Sequence, residues 1–125
     1  MAEKIDWLNE AWEQRAGPAV LATVDTRGKP NIVYVGEIDW DPDFGFVVAD
    51  NYFDKTRRNI KAQSPGAILF ITGENKSYQV KGALSYHTEG AAFERMLAFH
   101  NSDLPGVAAT VLTVETAYSG SEQLL

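Results

Sequence analysis

Cysteine is absent from the 125 residues, which excludes disulfides and thiolate metal sites. Histidine is nearly absent: His87 and His100 are the only two. They are far apart and neither sits at metal-ligand spacing, so structural or surface roles are expected for both. Basic residues are the minority charge, eleven against seventeen acidic, and the net charge of −6 argues against nucleic acid or an anionic membrane as the main partner. No apolar run approaches the roughly 20 residues a membrane-spanning helix needs. The opening M-A-E-K-I-D-W-L lacks a basic region followed by an apolar one, so no signal peptide is expected and a cytoplasmic location is the default. The motifs G-x-S-x-G, H-E-x-x-H, G-x-x-x-x-G-K-[ST] and G-x-G-x-x-G are all missing. Nothing supplies a nucleophile or an acid–base pair, so redox chemistry here needs a bound cofactor to carry it.

Apolar residues make up 45% of the chain, enough to fill a core, and the length fits one domain spanning residues 1–125. Residues 3–15 have the spacing of an amphipathic helix, with Trp7, Leu8, Ala11 and Trp12 on one face, and Gly17 and Pro18 stop it. Strands are expected at 19–25 and 30–38, joined by a turn with Gly28 where positive φ is needed. The acidic segment 39–43 reads as a turn. Its alternating Asp39, Asp41 and Asp43 faintly resemble a calcium loop, but Pro42 and the lack of a closing glutamate count against that. A third strand follows at 44–49, then a helix from Lys55 to about Gln63, broken by Ser64, Pro65 and Gly66. Strands at 67–72 and 77–86 precede a helix over 89–100. Thr88 is its expected cap, and Phe93, Met96, Leu97 and His100 lie on one side. A β-branched strand at 107–116 ends the pattern. The expected fold is mainly β: six short antiparallel strands closed into a small barrel, with flanking helices.

The stretch A-D-N-Y-F-D-K-T-R-R-N-I-K, residues 49–61, runs against the acidic background. Lys55, Arg57, Arg58 and Lys61 place four of the eleven basic residues within seven positions. Asp54 is the expected N-cap, which puts Lys55 and Thr56 in a first turn with free backbone N–H groups. Such a turn suits a phosphate. The competing reading is a solvated helix start with its cations in water.

Strand order, length and this stretch together resemble the FMN-binding split-barrel family related to pyridoxamine 5′-phosphate oxidase, most of all its short bacterial FMN-binding members. The similarity runs from Pro18 to Thr116 and includes the opening hairpin A-V-L-A-T-V-D-T-R-G-K-P-N-I-V-Y-V. The resemblance implies that flavin mononucleotide (FMN) lies with its ring along Ile32, Val33, Tyr34 and Val35. It implies that Ala49, Asp50 and Asn51 approach the ribityl chain and phosphate, that Lys55 and Thr56 grip the phosphate, and that Gln79 reaches the ring. It further implies a homodimer with each flavin at the subunit boundary. The oxidase itself carries an arginine where this chain has Asn31 and a second basic residue where it has Thr56, so oxidation of pyridoxamine phosphate is not expected. The function implied is an FMN-binding flavoprotein, a small oxidoreductase. The alternatives are a non-catalytic FMN-binding electron carrier and a split barrel holding deazaflavin F420 or haem.

Overall fold

The computed structural model describes residues 2–125, with side chains from Asp6 onward. Met1, at the head of the stretch read for a signal sequence, lies outside them. In chain order the elements are α1 (Ala2–Glu13), β1 (Ala19–Val24), β2 (Pro30–Val35), β3 (Ile38–Asp41), β4 (Gly45–Asp50), α2 (Lys55–Lys61), β5 (Pro65–Ile71), β6 (Ser77–His87), α3 (Ala91–Leu97), β7 (Ala108–Ser119) and β8 (Glu122–Gln123).

All strands pair antiparallel in one sheet, in the order β2-β1-β5-β6-β7-β4-β3, with β8 added beside β7. β2 and β3 stand at opposite ends of that order, yet only Gly36 and Glu37 separate them in the chain. A flat sheet cannot satisfy both facts. The sheet curls until its two edges meet, and they meet without pairing: a split barrel, as expected.

Alternation decides what the barrel encloses. Ala19 and Leu21 of β1, Ile68 and Phe70 of β5, and Tyr78 and Val80 of β6 face inward and are buried. α1 closes over them with Leu8, Ala11 and Trp12, the face its spacing predicted. Trp12 sits edge-on to Phe46 and Phe70, each at 5.0 Å between ring centroids. β4 is buried on both sides. Phe46 and Val48 join this core, while Val47 and Ala49 pack with Ala92 and Met96 of α3 and Ala109 and Val111 of β7. That two-sided burial is why β4 reads as a continuous apolar run.

Three expectations need correction. Among the described residues there are eight strands, not six, because β3 lies in the acidic segment read as a turn and β8 lies in the polar tail. In β3, Ile38 and Trp40 are buried, and Arg95 binds the carboxylates of Asp39 at 2.7 Å and Asp41 at 2.8 Å. The alternation of a strand was present, and a cation from α3 makes its charges tolerable. α3 is shorter than expected: Gly90, not Thr88, stands at its start without a side-chain cap, and Leu97 is exposed.

Candidate functional site

The seam of the barrel positions two adjoining cavities along β2. One, of about 510 Å³, is lined by Asp25, Thr26, Lys29, Pro30 and Asn31 from the β1–β2 hairpin and by Lys55, Arg58, Asn59 and Ala62 of α2 and its end. The other, of about 490 Å³, begins two residues further along β2. It is lined by Val33, Tyr34, Val35, Gly36, Glu37, Ala49, Asn51, Tyr52, Phe53 and Leu104. The first carries Lys29, Lys55 and Arg58 at its wall, and the second is mainly apolar. Asp25 offsets part of the positive charge: the Lys29 N–H above all, joined by that of Arg27, outweighs desolvation and holds its carboxyl below the ordinary value.

α2 is held in place from within. Asp50, fully buried, accepts four hydrogen bonds: from Arg57 Nε at 2.8 Å and Nη2 at 3.1 Å, from the Tyr86 hydroxyl at 2.5 Å and from the Phe53 N–H at 3.0 Å. The Asp50 carboxylate raises the pKa of Arg57. Burial, and after it the same carboxylate, pushes the Tyr86 phenol up. The cluster docks α2 on the end of β4 and turns Arg57 away from the cavity. Lys61 lies over the Tyr86 ring at 5.2 Å. Of the four clustered cations, Lys55 and Arg58 therefore remain at the cavity wall.

The sequence-derived site residues fall into three groups. Val33, Tyr34, Val35, Ala49 and Asn51 line the second cavity, and Lys55 lines the first. Asp50 and Thr56 are brought close but are buried. The Asp50 carboxylate is spent on Arg57 and Tyr86, and Thr56 Oγ1 accepts a 2.9 Å bond from Asn31. Asn31 and Thr56, where the oxidase has basic residues, thus pair as neutral side chains, and Lys29 and Arg58 stand at the wall of the same cavity. Ile32 is 69% exposed and lines neither cavity. Gln79 is distant. Its cross-strand row runs Tyr34, Val20, Leu69, Gln79, Tyr118, which puts it three strand spacings, about 14 Å, from Tyr34.

The Asp54 cap also differs from expectation. Its carboxylate makes no cap hydrogen bond and lies 3.3 Å from Arg58. α2 has seven residues, so its dipole is slight and anion attraction rests on side chains. Sequence reasoning passed over Lys29 and counted Arg58 only in the basic cluster, although Arg58 sits at i+3 from Lys55, the spacing that shares a helix face. It also passed over Glu37 and Tyr52, for which no local signal exists.

The fold and its seam define a class: a split barrel with a charged recess and an apolar recess side by side at the meeting of its edges. A sequence model described as pyridoxamine 5′-phosphate oxidase matches residues 8–119, and the chain belongs to that family. No curated protein matches the sequence significantly. Among solved structures, HupZ from Group A Streptococcus is 26% identical, with a TM-score of 0.78 and 94% of each chain covered. An FMN-binding protein from Syntrophomonas wolfei is 20% identical with a TM-score of 0.80, covering 95% of this chain and 87% of the other. HutZ from Vibrio cholerae, described as a haem storage protein, is 16% identical with a TM-score of 0.65, covering 91% and 92%. At 20% and 16% identity, these last two likenesses speak for the fold alone.

Proposed function

We propose that this chain is an FMN-binding flavoprotein, a small oxidoreductase that works as a homodimer. The observation that carries the reading is the pair of cavities along β2 in a member of this family. FMN has a dianionic tail and a flat, largely apolar ring. The recess with Lys29, Lys55 and Arg58 suits the tail, and the recess of Val33, Val35, Ala49 and Phe53 suits the ring. Volumes of about 300–1,000 Å³ are usual for such sites. The Syntrophomonas wolfei neighbour is described as FMN-binding, which adds support. When bound, the flavin would supply electron and hydride transfer. The chain's part is to hold the tail by charge, to shield one flank of the ring, and to set the ring's electrostatics with fixed dipoles.

The outer sheet face supports the dimer. Tyr34 is 77% exposed, Ile32 69%, Leu69 44% and Ile71 42%, with Tyr34 and Leu69 in one cross-strand row with Gln79. A second copy seated there covers these residues and brings its own Gln79 toward the flavin of the first, which restores the role its distance denies it within one chain.

The electron-carrier reading draws support from one observation. Glu37 and Asn51, polar side chains in the wall of the second cavity, have their oxygens and amide engaged by other protein groups, which leaves no free carboxylate there. Turnover with NAD(P)H and common acceptors separates carrier from enzyme. Deazaflavin F420 has the same flat ring and anionic tail, and native mass spectrometry distinguishes it by mass. Haem draws no support from the histidines: both His100 ring nitrogens are engaged, His87 is paired with Ser85 at 2.7 Å, and neither lines these two cavities.

The test is a visible spectrum and an FMN titration followed by quenching of flavin fluorescence. Lys55→Ala is expected to weaken binding by about tenfold, the worth of one charge-assisted phosphate contact. A colourless protein that leaves the fluorescence of added FMN unchanged overturns the reading.

A further inference from the structure

His100 and Glu37 are 63 residues apart in the chain and in contact in the fold. His100 Nδ1 lies 2.9 Å from Glu37 Oε1, and Nε2 lies 3.0 Å from the carbonyl oxygen of Leu104. Both partners are acceptors. A neutral imidazole has a single N–H, so only the doubly protonated ring donates to both. The remaining capacity of Glu37 is filled by the Asn51 amide at 2.8 Å and the Asn101 N–H at 2.6 Å, while Asn51 Oδ1 accepts from the Gly106 N–H at 2.8 Å. Three bonds of this cluster, from His100 and the Asn101 N–H to Glu37 and from the Gly106 N–H to Asn51, thereby fasten the 100–106 loop to the β2–β3 connection and the end of β4. The loop delivers Leu104 to the wall of the second cavity. Gly106, at φ 52, packs so close to the ring that a Cβ would lie 2.4 Å from His100 Nε2.

We infer that Glu37 and His100 form a proton-operated latch that positions Leu104 against the second cavity and so regulates how tightly that cavity holds its occupant. Loss of one proton leaves a lone pair on one nitrogen facing an oxygen. The bond to the Glu37 carboxylate is charge-assisted and survives; the bond to the Leu104 carbonyl is lost. Burial alone would push the Glu37 carboxyl up, but Asn51, the Asn101 N–H and His100 outweigh it and hold the carboxyl below its ordinary 4.5. The latch is therefore closed above the protonation of Glu37 and opens as rising pH deprotonates His100. Among the described residues, Glu37 is the charged group bonded to the ring. Asn51 and Gly106 carry no charge, and the exposed Asp103 engages the loop through its N–H. His100 and Glu37 are positioning residues here: they act on the occupant through Leu104.

The loop can be tested without any cofactor. In the full chain, hydrogen exchange of amides 101–106, corrected for its intrinsic pH dependence and referenced to α3, should rise by about tenfold across the interval in which nitrogen NMR shows the imidazole losing one proton. Nitrogen NMR of the imidazole should show both nitrogens protonated at the lower pH. His100→Gln, which keeps a donor but cannot titrate, should flatten the exchange profile. Loop exchange that does not change with pH, or a ring that carries a single proton wherever Glu37 is ionised, overturns the latch, and the NMR measurement on the unaltered protein stands even where the variant misfolds. The regulatory half rests on the FMN reading. Flavin release should be several-fold faster at the higher pH, and His100→Gln should remove that dependence. A pH-dependent loop in a protein that takes up no FMN sinks the FMN reading and leaves the latch standing. A pH-dependent loop with pH-independent release sinks the regulatory half.

Discussion

Replacing Asp50 by asparagine tests whether the docking of α2 depends on a charge or merely on shape. The two side chains have nearly the same volume, so packing is preserved. Hydrogen bonding is not. Asp50 Oδ2 accepts from Arg57 Nε and the Tyr86 hydroxyl, and Oδ1 accepts from Arg57 Nη2 and the Phe53 N–H. All four partners donate. Asparagine turns one oxygen into an NH₂ group: at the Oδ1 position two donors then face a donor, and at the Oδ2 position Arg57 Nε does while the Tyr86 hydroxyl must turn from donor to acceptor. In either case one lost bond is to the Arg57 guanidinium. A hydrogen bond to a charged group contributes about 1.5–3 kcal/mol and the second about 1 kcal/mol. Breaking a fully buried ion pair can cost about 3–5 kcal/mol, but the Arg57 side chain is 34% exposed, so water recovers part of its solvation. A loss of about 3 kcal/mol is expected, which lowers Tm by on the order of 10 °C in a chain of this size. Thermal and urea unfolding of the cofactor-free protein, followed by circular dichroism, measures it. Tyr86→Phe removes one donor and leaves the charge pair, so it should cost about 1 kcal/mol. If Asp50→Asn shifts Tm by less than about 2 °C, the carboxylate is replaceable by any polar group of its size and the argument fails.

Two further predictions concern charge and assembly. Burial alone would raise the Asp41 carboxyl, but Arg95 and the N–H groups of Asp43 and Phe44 outweigh it and hold it below its ordinary 3.8. A depressed folded-state carboxyl contributes stability above the unfolded value and loses it as the pH falls through the folded one. The urea midpoint should therefore drop below about pH 4, and less steeply in Asp41→Asn; parallel acid limbs for the two proteins would refute this. On the outer face, Leu69→Lys should convert the proposed homodimer to monomers in analytical ultracentrifugation at micromolar concentration while the fold persists by circular dichroism. An unchanged dimer would move the interface elsewhere.

Sequence periodicity predicted the order of the elements well because most strands are buried on one face and α1 has an apolar stripe. It failed at β3, where Asp39 and Asp41 flank Trp40. Two carboxylates around a tryptophan look like a turn until Arg95, 56 and 54 residues away, neutralises them. Periodicity also could not divide the residues of β4 between two cores, since a run buried on both faces carries no alternation. Of the candidate site, the place of Lys55 at a cavity wall was legible from a local cluster. Local sequence could not show which candidate ligand residues have a partner inside the protein. Asp50 and Thr56 lie at the right places in the chain, but Arg57, Tyr86 and Asn31 reach them first.

That competition ranks the cations around the site. A buried carboxylate binds the arginine that can deliver two parallel bonds, and Arg57 is so placed that it reaches Asp50 with both Nε and Nη2. Lysine offers a single point charge on a flexible stem, and a fork-shaped partner displaces it from such a pocket. Within the basic stretch, arginine is therefore spent on the fold at position 57, and lysine is left for solvent or a ligand at position 55. The same reasoning applies to Glu37. Its oxygens are shared among His100, Asn51 and the Asn101 N–H, three donors from two separate parts of the chain. A residue whose partners converge from so far apart fixes the seam of the barrel. Any ligand lying across that seam therefore senses the protonation of a histidine it does not touch.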